Sequence, residues 1–212
     1  MVLKPALGTG CGQSRLHRRL RYFMPLLGHT DDFTGSYLLP EDSPDVAAIR
    51  ALHQAAVDAL GLANGVTHME VFKTCDGFVI GEISCRPAGG GIVDAVKMQY
   101  GVDLWRVFMD TALGRSAGVS GPVAPLRSEI VANCDLPVRP GRVVRISTPE
   151  ELAKVPDVLE ARMSTRVGDV ISSRLHSAST TGLVFLAAAD PQLVAKRVEE
   201  LSRVYVLEVE PV

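Results

Sequence analysis

The sequence lacks an apolar run of membrane-spanning length. Its longest clean stretch, Leu183 to Ala189, falls far short of the ~18 residues a bilayer crossing needs. It also lacks an excess of either charge: 22 Lys plus Arg stand against 24 Asp plus Glu, a formal net charge of -2. No long-range positive field is available to hold a phosphate backbone, so neither a membrane nor nucleic acid is an expected partner, and small molecules are. With 47% hydrophobic and only 22% charged residues, the composition is globular rather than disordered. Cysteine is scarce. Cys11, Cys75, Cys85 and Cys134 form no C-x-x-C pair and no zinc spacing, and no secretory signal precedes them. They read as small apolar residues in a reducing cytoplasm. The G-x-S-x-G elbow of serine hydrolases is absent, and the polar segment around His176, Ser177 and Ser179 reads as a turn.

What is present begins with helix starts. Ser43-Pro44, Thr148-Pro149 and Asp190-Pro191 each put a capping residue before a proline at the first helical position, where its missing N–H costs nothing. The first helix is expected to stop at Gly61. The second carries a capping box with Glu151, and the third shows an apolar stripe of Leu193, Val194, Val198 and Leu201. A fourth helix is expected from Asp103 to Gly114. Val66 to Ser84 reads as two strands around Cys75-Asp76-Gly77. Further strands are expected at Ile130 to Ala132, Val143 to Ile146, Val170 to Leu175, Leu183 to Leu186 and Val204 to Val209. A Gly/Ser/Pro-rich stretch from Gly114 to Pro125 marks a boundary, giving domains 1–122 and 123–212. The cluster Arg15 to Arg21 fits a solvated face, or a patch that steers an anionic nucleotide.

The chemistry concentrates in the hairpin. A three-residue loop Cys75-Asp76-Gly77 pairs Thr74 with Phe78, Phe72 with Ile80, Glu70 with Glu82 and His68 with Ser84. Two facing carboxylates have Cβ atoms roughly 5 Å apart. At an effective dielectric of about 20 their repulsion is on the order of 3 kcal/mol. A divalent cation, a shared proton or a slipped register relieves it, as does a solvated sheet face. Hard oxygen donors without thiolates point to Mg2+ or Mn2+ rather than Zn2+. Just beyond lie Arg86 and the run Gly89-Gly90-Gly91, a fixed cation and accessible backbone N–H groups suited to phosphate or acyl-phosphate oxygens. His68 shares the carboxylate face, where it orients a ligand, donates to phosphate or is simply structural.

Residues 61–114, with H-x-E at His68 and Glu70 and E-I-x-x-R-P-x-G-G-G from Glu82, resemble the carboxy-terminal lobe of ATP-grasp carboxylate-amine ligases, most closely the L-amino-acid-ligase branch. The resemblance implies an α+β fold: an ATP-grasp-like lobe with an antiparallel sheet and packed helices, followed by a small carboxy-terminal α+β domain. It implies that Glu70 and Glu82 bind magnesium ions bridging ATP phosphates, with Ser84 at the position of a further ligand that is asparagine in many relatives. Arg86 is implied to contact phosphate or the acyl-phosphate intermediate. The opening Val2-Leu3-Lys4-Pro5 and the following glycines are similar to the family's lysine strand and phosphate loop, which assigns Lys4, Gly8 and Gly10 to ATP. The implied activity is ATP- and Mg-dependent joining of a carboxylate to an amine, such as two amino acids, with release of ADP. The stretch between Lys4 and Glu70 is short for the family and leaves little room for an adenine-binding hinge. The chain therefore reads as a shortened ligase, acting weakly alone, with a missing amino-terminal half or a second copy as partner. The alternative is a non-catalytic remnant or one subunit of a split ligase.

Overall fold

The computed structural model describes residues 2–6, 18–23, 30–119 and 123–212. In chain order the elements are β1 (Val2–Ala6), β2 (Arg18–Tyr22), β3 (Thr34–Leu38), α1 (Asp45–Ala59), β4 (His68–Thr74), β5 (Gly77–Ser84), α2 (Ile92–Tyr100) and α3 (Leu104–Ala112). Then follow β6 (Ile130–Asp135), β7 (Gly141–Ile146), α4 (Pro149–Leu152), β8 (Val158–Met163), β9 (Val170–Ile171), β10 (Gly182–Ala188), α5 (Pro191–Val204) and β11 (Leu207–Glu210). The fold is α+β with antiparallel strand pairing, as the sequence implied. The chain divides into two compact units, Met1–Tyr22 with Leu38–Ser128, and Phe23–Tyr37 with Glu129–Val212. The boundary read near residue 122 thus lies before this division, and it did not foresee that 23–37 groups with the later residues. No helix among the described residues is long and apolar enough to cross a membrane.

In the first unit the strands run β5-β4-β1-β2, every neighbouring pair antiparallel. Strand alternation turns Met69 and Val71, both fully buried, to one face. α1 packs against β1 and β5, and α2 against α3, and the core gathers Ile49, Val93, Val96, Leu104 and Val107. α1 begins differently from the sequence reading. Pro44 itself is the N-cap, no side chain caps the helix, and Ser43 contributes only its carbonyl, to Val46 N at 3.0 Å. The far end is as expected: Gly61 has φ +63, and Leu62 N donates back to Val57 O, closing the last turn. Asp103 caps α3, accepting from the backbone of Trp105 and Arg106. The Lys97 ammonium and these N–H donors hold its carboxyl below the usual carboxylate range.

In the second unit β3-β6-β10-β8 form one set of neighbours and β11-β7-β9 another. The fully buried Val184, Phe185, Leu186, Leu152 and Leu201 carry its core. Of the expected Val170 to Leu175 strand, only Val170 and Ile171 pair. Beyond them Ser172 Oγ accepts from Arg174 N and Ser179 Oγ from His176 N, side-chain bonds that compete with a ladder. Residue 204 closes α5 instead of opening a strand, and β11 starts only at Leu207. β2, β3 and β8 were not anticipated, and part of the arginine cluster read as a solvated face lies in β2.

Thr148 and Glu151 form the expected reciprocal capping box, and Asp190 accepts from Leu193 N at 2.8 Å. Each cap contributes about 1 kcal/mol. Thr148→Ala and Asp190→Ala are therefore each expected to lower the melting temperature by about 2–4 °C. Melts unchanged in both variants would show that these helix ends are held by other contacts.

Candidate functional site

The β4–β5 hairpin turns in two residues, not three. Thr74 pairs with Gly77 across Cys75 and Asp76. Its hydroxyl closes the turn, accepting from Asp76 N at 3.2 Å and donating to Gly77 O at 3.1 Å. The next pairs are Lys73 with Phe78, Phe72 with Val79 and Val71 with Ile80, which corrects the expected partners of Thr74 and Phe72. Continued unbroken, this register would set Gly81 opposite Glu70 and carry Glu82 to the buried side with Met69. A β-bulge at Gly81 prevents that. The register shifts after Val71, so that Glu70 faces Glu82, Met69 faces Ile83 and His68 faces Ser84. Glycine leaves room there for the Phe72 ring: a Cβ at residue 81 would lie 2.6 Å from it, so that any larger residue must turn this exposed ring aside. The expected facing carboxylates are present, reached by a shorter turn and a compensating bulge.

One ligand atom from each of His68, Glu70 and Glu82 lies within 4.8 Å of the other two. The cluster is graded in depth, with His68 buried, Glu70 half-buried and Glu82 exposed. Donors around a six-coordinate ion with bonds of about 2.1 Å sit about 3 to 4 Å apart, so small side-chain rotations close this set on a divalent cation. Two carboxylates with one nitrogen donor fit such an ion and leave positions for phosphate or water. Ser84, half-buried, stands across the ladder from His68.

β1 adds a third member to the row. Leu3 pairs with Val71 and Ala6 with His68, which sets the Lys4 backbone level with Glu70. Lys4, Glu70 and Glu82 thus occupy one rung across three adjacent strands, a juxtaposition that sequence spacing did not reveal because β1 and β4 are far apart in the chain. Gly8 and Gly10, also assigned to the nucleotide, lie outside the described residues. Arg86 follows β5 and is exposed, its Nη1 donating to Pro87 O at 3.0 Å. Pro87 and Ala88 are buried and anchor the segment, while Gly89 and Gly90 are exposed just before α2. Among the described cysteines, burial pushes the Cys134 thiol well up, as expected of a small core residue, and Cys75 and Cys85 are exposed free thiols.

Comparison with known proteins extends these observations. Residues 136–210 match the family model for the L-amino acid ligase C-terminal domain 2. Over 158 residues the chain is 28% identical to the L-arginine-specific L-amino acid ligase of Bacillus subtilis, covering 74% of this chain and 38% of that protein. Its fold is similar to that of L-amino acid ligase from Bacillus licheniformis, with TM-score 0.76 and 16% identity over 99% of this chain and 54% of the other. It is also similar to phosphoribosylglycinamide synthetase from Anaerococcus prevotii, with TM-score 0.72 and 12% identity over 99% of this chain and 53% of the other. The chain therefore spans about half of those structures and less of the curated relative.

Proposed function

We propose that this ATP-grasp carboxylate-amine-ligase-like chain carries the metal and phosphate end of a ligase that joins a carboxylate to an amine, both from the amino-acid class, at the expense of ATP, in a reducing cytoplasm. The observation that carries the reading is the rung of Lys4, Glu70 and Glu82, followed directly by Arg86 and the exposed glycines. Glu70 and Glu82, with Ser84 beside them, would hold Mg2+ or Mn2+. When bound, the ion neutralises phosphate charge and aligns the transfer. Lys4, with Gly8 and Gly10, would hold the ATP phosphates. In the proposed reaction a carboxylate oxygen takes the γ-phosphoryl group, and ADP leaves. The amine nitrogen then attacks the carbonyl carbon, the bond to the phosphate oxygen breaks, and the nitrogen loses a proton. Arg86, a fixed cation on a segment anchored by buried Pro87 and Ala88, would bind the phosphoryl oxygens of the acyl phosphate and orient them.

ADP release, measured with Mg2+ and a panel of amino acids, tests this. Slow but amino-acid-dependent release is expected, abolished by Arg86→Ala with metal-ATP binding retained. Binding of metal and ATP without release under any amino acid would favour the second reading, a non-catalytic remnant or the partner subunit of a split ligase. The short interval between Lys4 and Glu70 is the observation on that side.

A further inference from the structure

We infer that His68 is a direct ligand of the cation held by Glu70 and Glu82, and that this nitrogen donor turns the site's preference from Mg2+ toward Mn2+ and the later divalent ions. The inference rests on the metal-site reading of the two glutamates. His68 lies two residues before Glu70 on β4, hence on the same face, and the residue is 2% exposed. Its nitrogen and the two carboxylates converge within 4.8 Å, the imidazole at the floor and Glu82 at the rim.

The row behind the carboxylates consists of Ala6, His68 and Ser84. Alanine has no donor, and a serine hydroxyl is a weak neutral one. The imidazole is therefore the strongest donor in the row, placed where the hydroxyl alone would complete the set poorly. As a neutral ligand it leaves the site two negative charges, which one divalent ion balances. Mg2+ demands hard oxygen donors, whereas an imidazole nitrogen suits the borderline transition ions, so exchanging oxygen for nitrogen favours the latter. The competing arrangement is an imidazolium paired with the carboxylates, which a bound metal would displace rather than recruit.

Pulsed electron paramagnetic resonance of the Mn2+-loaded chain, with and without ATP, separates the two. Nitrogen hyperfine coupling to Mn2+ is expected in the parent and in His176→Gln, a change at an exposed histidine of the second unit. It is expected to vanish in His68→Gln. Titrations should show Mn2+ affinity falling at least about tenfold in His68→Gln, since loss of an outer-shell partner alone costs about 10–100-fold, with Mg2+ affinity changed much less. Mn2+ bound to the parent without nitrogen coupling overturns the inference, as does coupling that survives His68→Gln; the parent spectrum decides even if that variant fails to fold. A parent that binds no Mn2+, with ATP or without, overturns the metal-site reading itself and this inference with it.

Discussion

Mn2+ and ATP together are expected to stabilise the parent against heat, and Glu82→Gln to abolish that stabilisation while leaving the apo protein as stable as before or more so. Removing a charge from most folded proteins has no such double effect. Here the bulge at Gly81 holds Glu82 opposite Glu70, and two like charges directly across a ladder destabilise the strands that carry them. Gln keeps the shape and removes the repulsion, and it also removes the anionic donor. A ligand present at about 100 times its dissociation constant stabilises the form it binds by about 2.7 kcal/mol. For a chain of this size that corresponds to a shift of about 5–10 °C in the parent, and to almost none in Glu82→Gln or Glu70→Gln. Glu199 is exposed and its carboxylate pairs with Arg203 on the surface of α5, so Glu199→Gln should keep the full response. A parent indifferent to metal and nucleotide would point to the non-catalytic remnant. Gln variants that respond like the parent would move the metal to other residues.

The facing glutamates were legible in the sequence, but the route to them was not. Strand parity set Glu70 against Glu82, and the resemblance to ATP-grasp ligases implied the same two residues. The turn that Thr74 shortens and the bulge that Gly81 supplies each reverse the parity, and together they restore it. The turn is local, held by Thr74 with Asp76 and Gly77, but the bulge is not, because Gly81 is crowded by the ring of Phe72 across the strand pair. Thr148, Asp190 and Asp103 were readable as caps because their partners lie within three residues. Ser43 shows the limit of that reasoning, since the same Ser-Pro pattern yields a helix with no side-chain cap. β8 was hidden by composition: Glu160 and Arg162 lie within it, paired with each other on an edge strand. The rung that brings Lys4 beside Glu70 is a long-range pairing, and no local pattern encodes it.

β3 was hidden for a related reason, and it yields the largest expected loss of stability. Thr34–Leu38 contains a glycine and a serine, both weak strand formers, yet all five residues are buried. What makes the strand is its partner. Ser36 Oγ donates to Asn133 Oδ1 at 2.7 Å on β6, satisfying a buried hydroxyl. Gly35 allows the close approach that brings them together. Its φ is +145, and a Cβ there would lie 2.2 Å from Asn133 O, 2.9 Å from Cys134 Cα and 3.0 Å from the Phe23 ring. The first two obstacles are backbone in the middle of a ladder and cannot rotate away. Ala at residue 35 must therefore force β3 from β6, weaken the Ser36–Asn133 bond and disturb the Phe23 N to Gly35 O hydrogen bond at 3.0 Å. Strained backbone and overpacking each cost about 1–3 kcal/mol, so Gly35→Ala is expected to lose about 2–6 kcal/mol, or about 4 kcal/mol at the middle of that range. The melting temperature should then fall by about 8–16 °C. Gly61→Ala is the matched comparison, because Gly61 also has positive φ but nothing within 4 Å of an added Cβ. It should lose only the left-handed backbone penalty of about 1–2 kcal/mol. Equal melting temperatures for the two variants would mean that β3 slides away from β6 at little cost and that the close approach at Gly35 does not fix the strand.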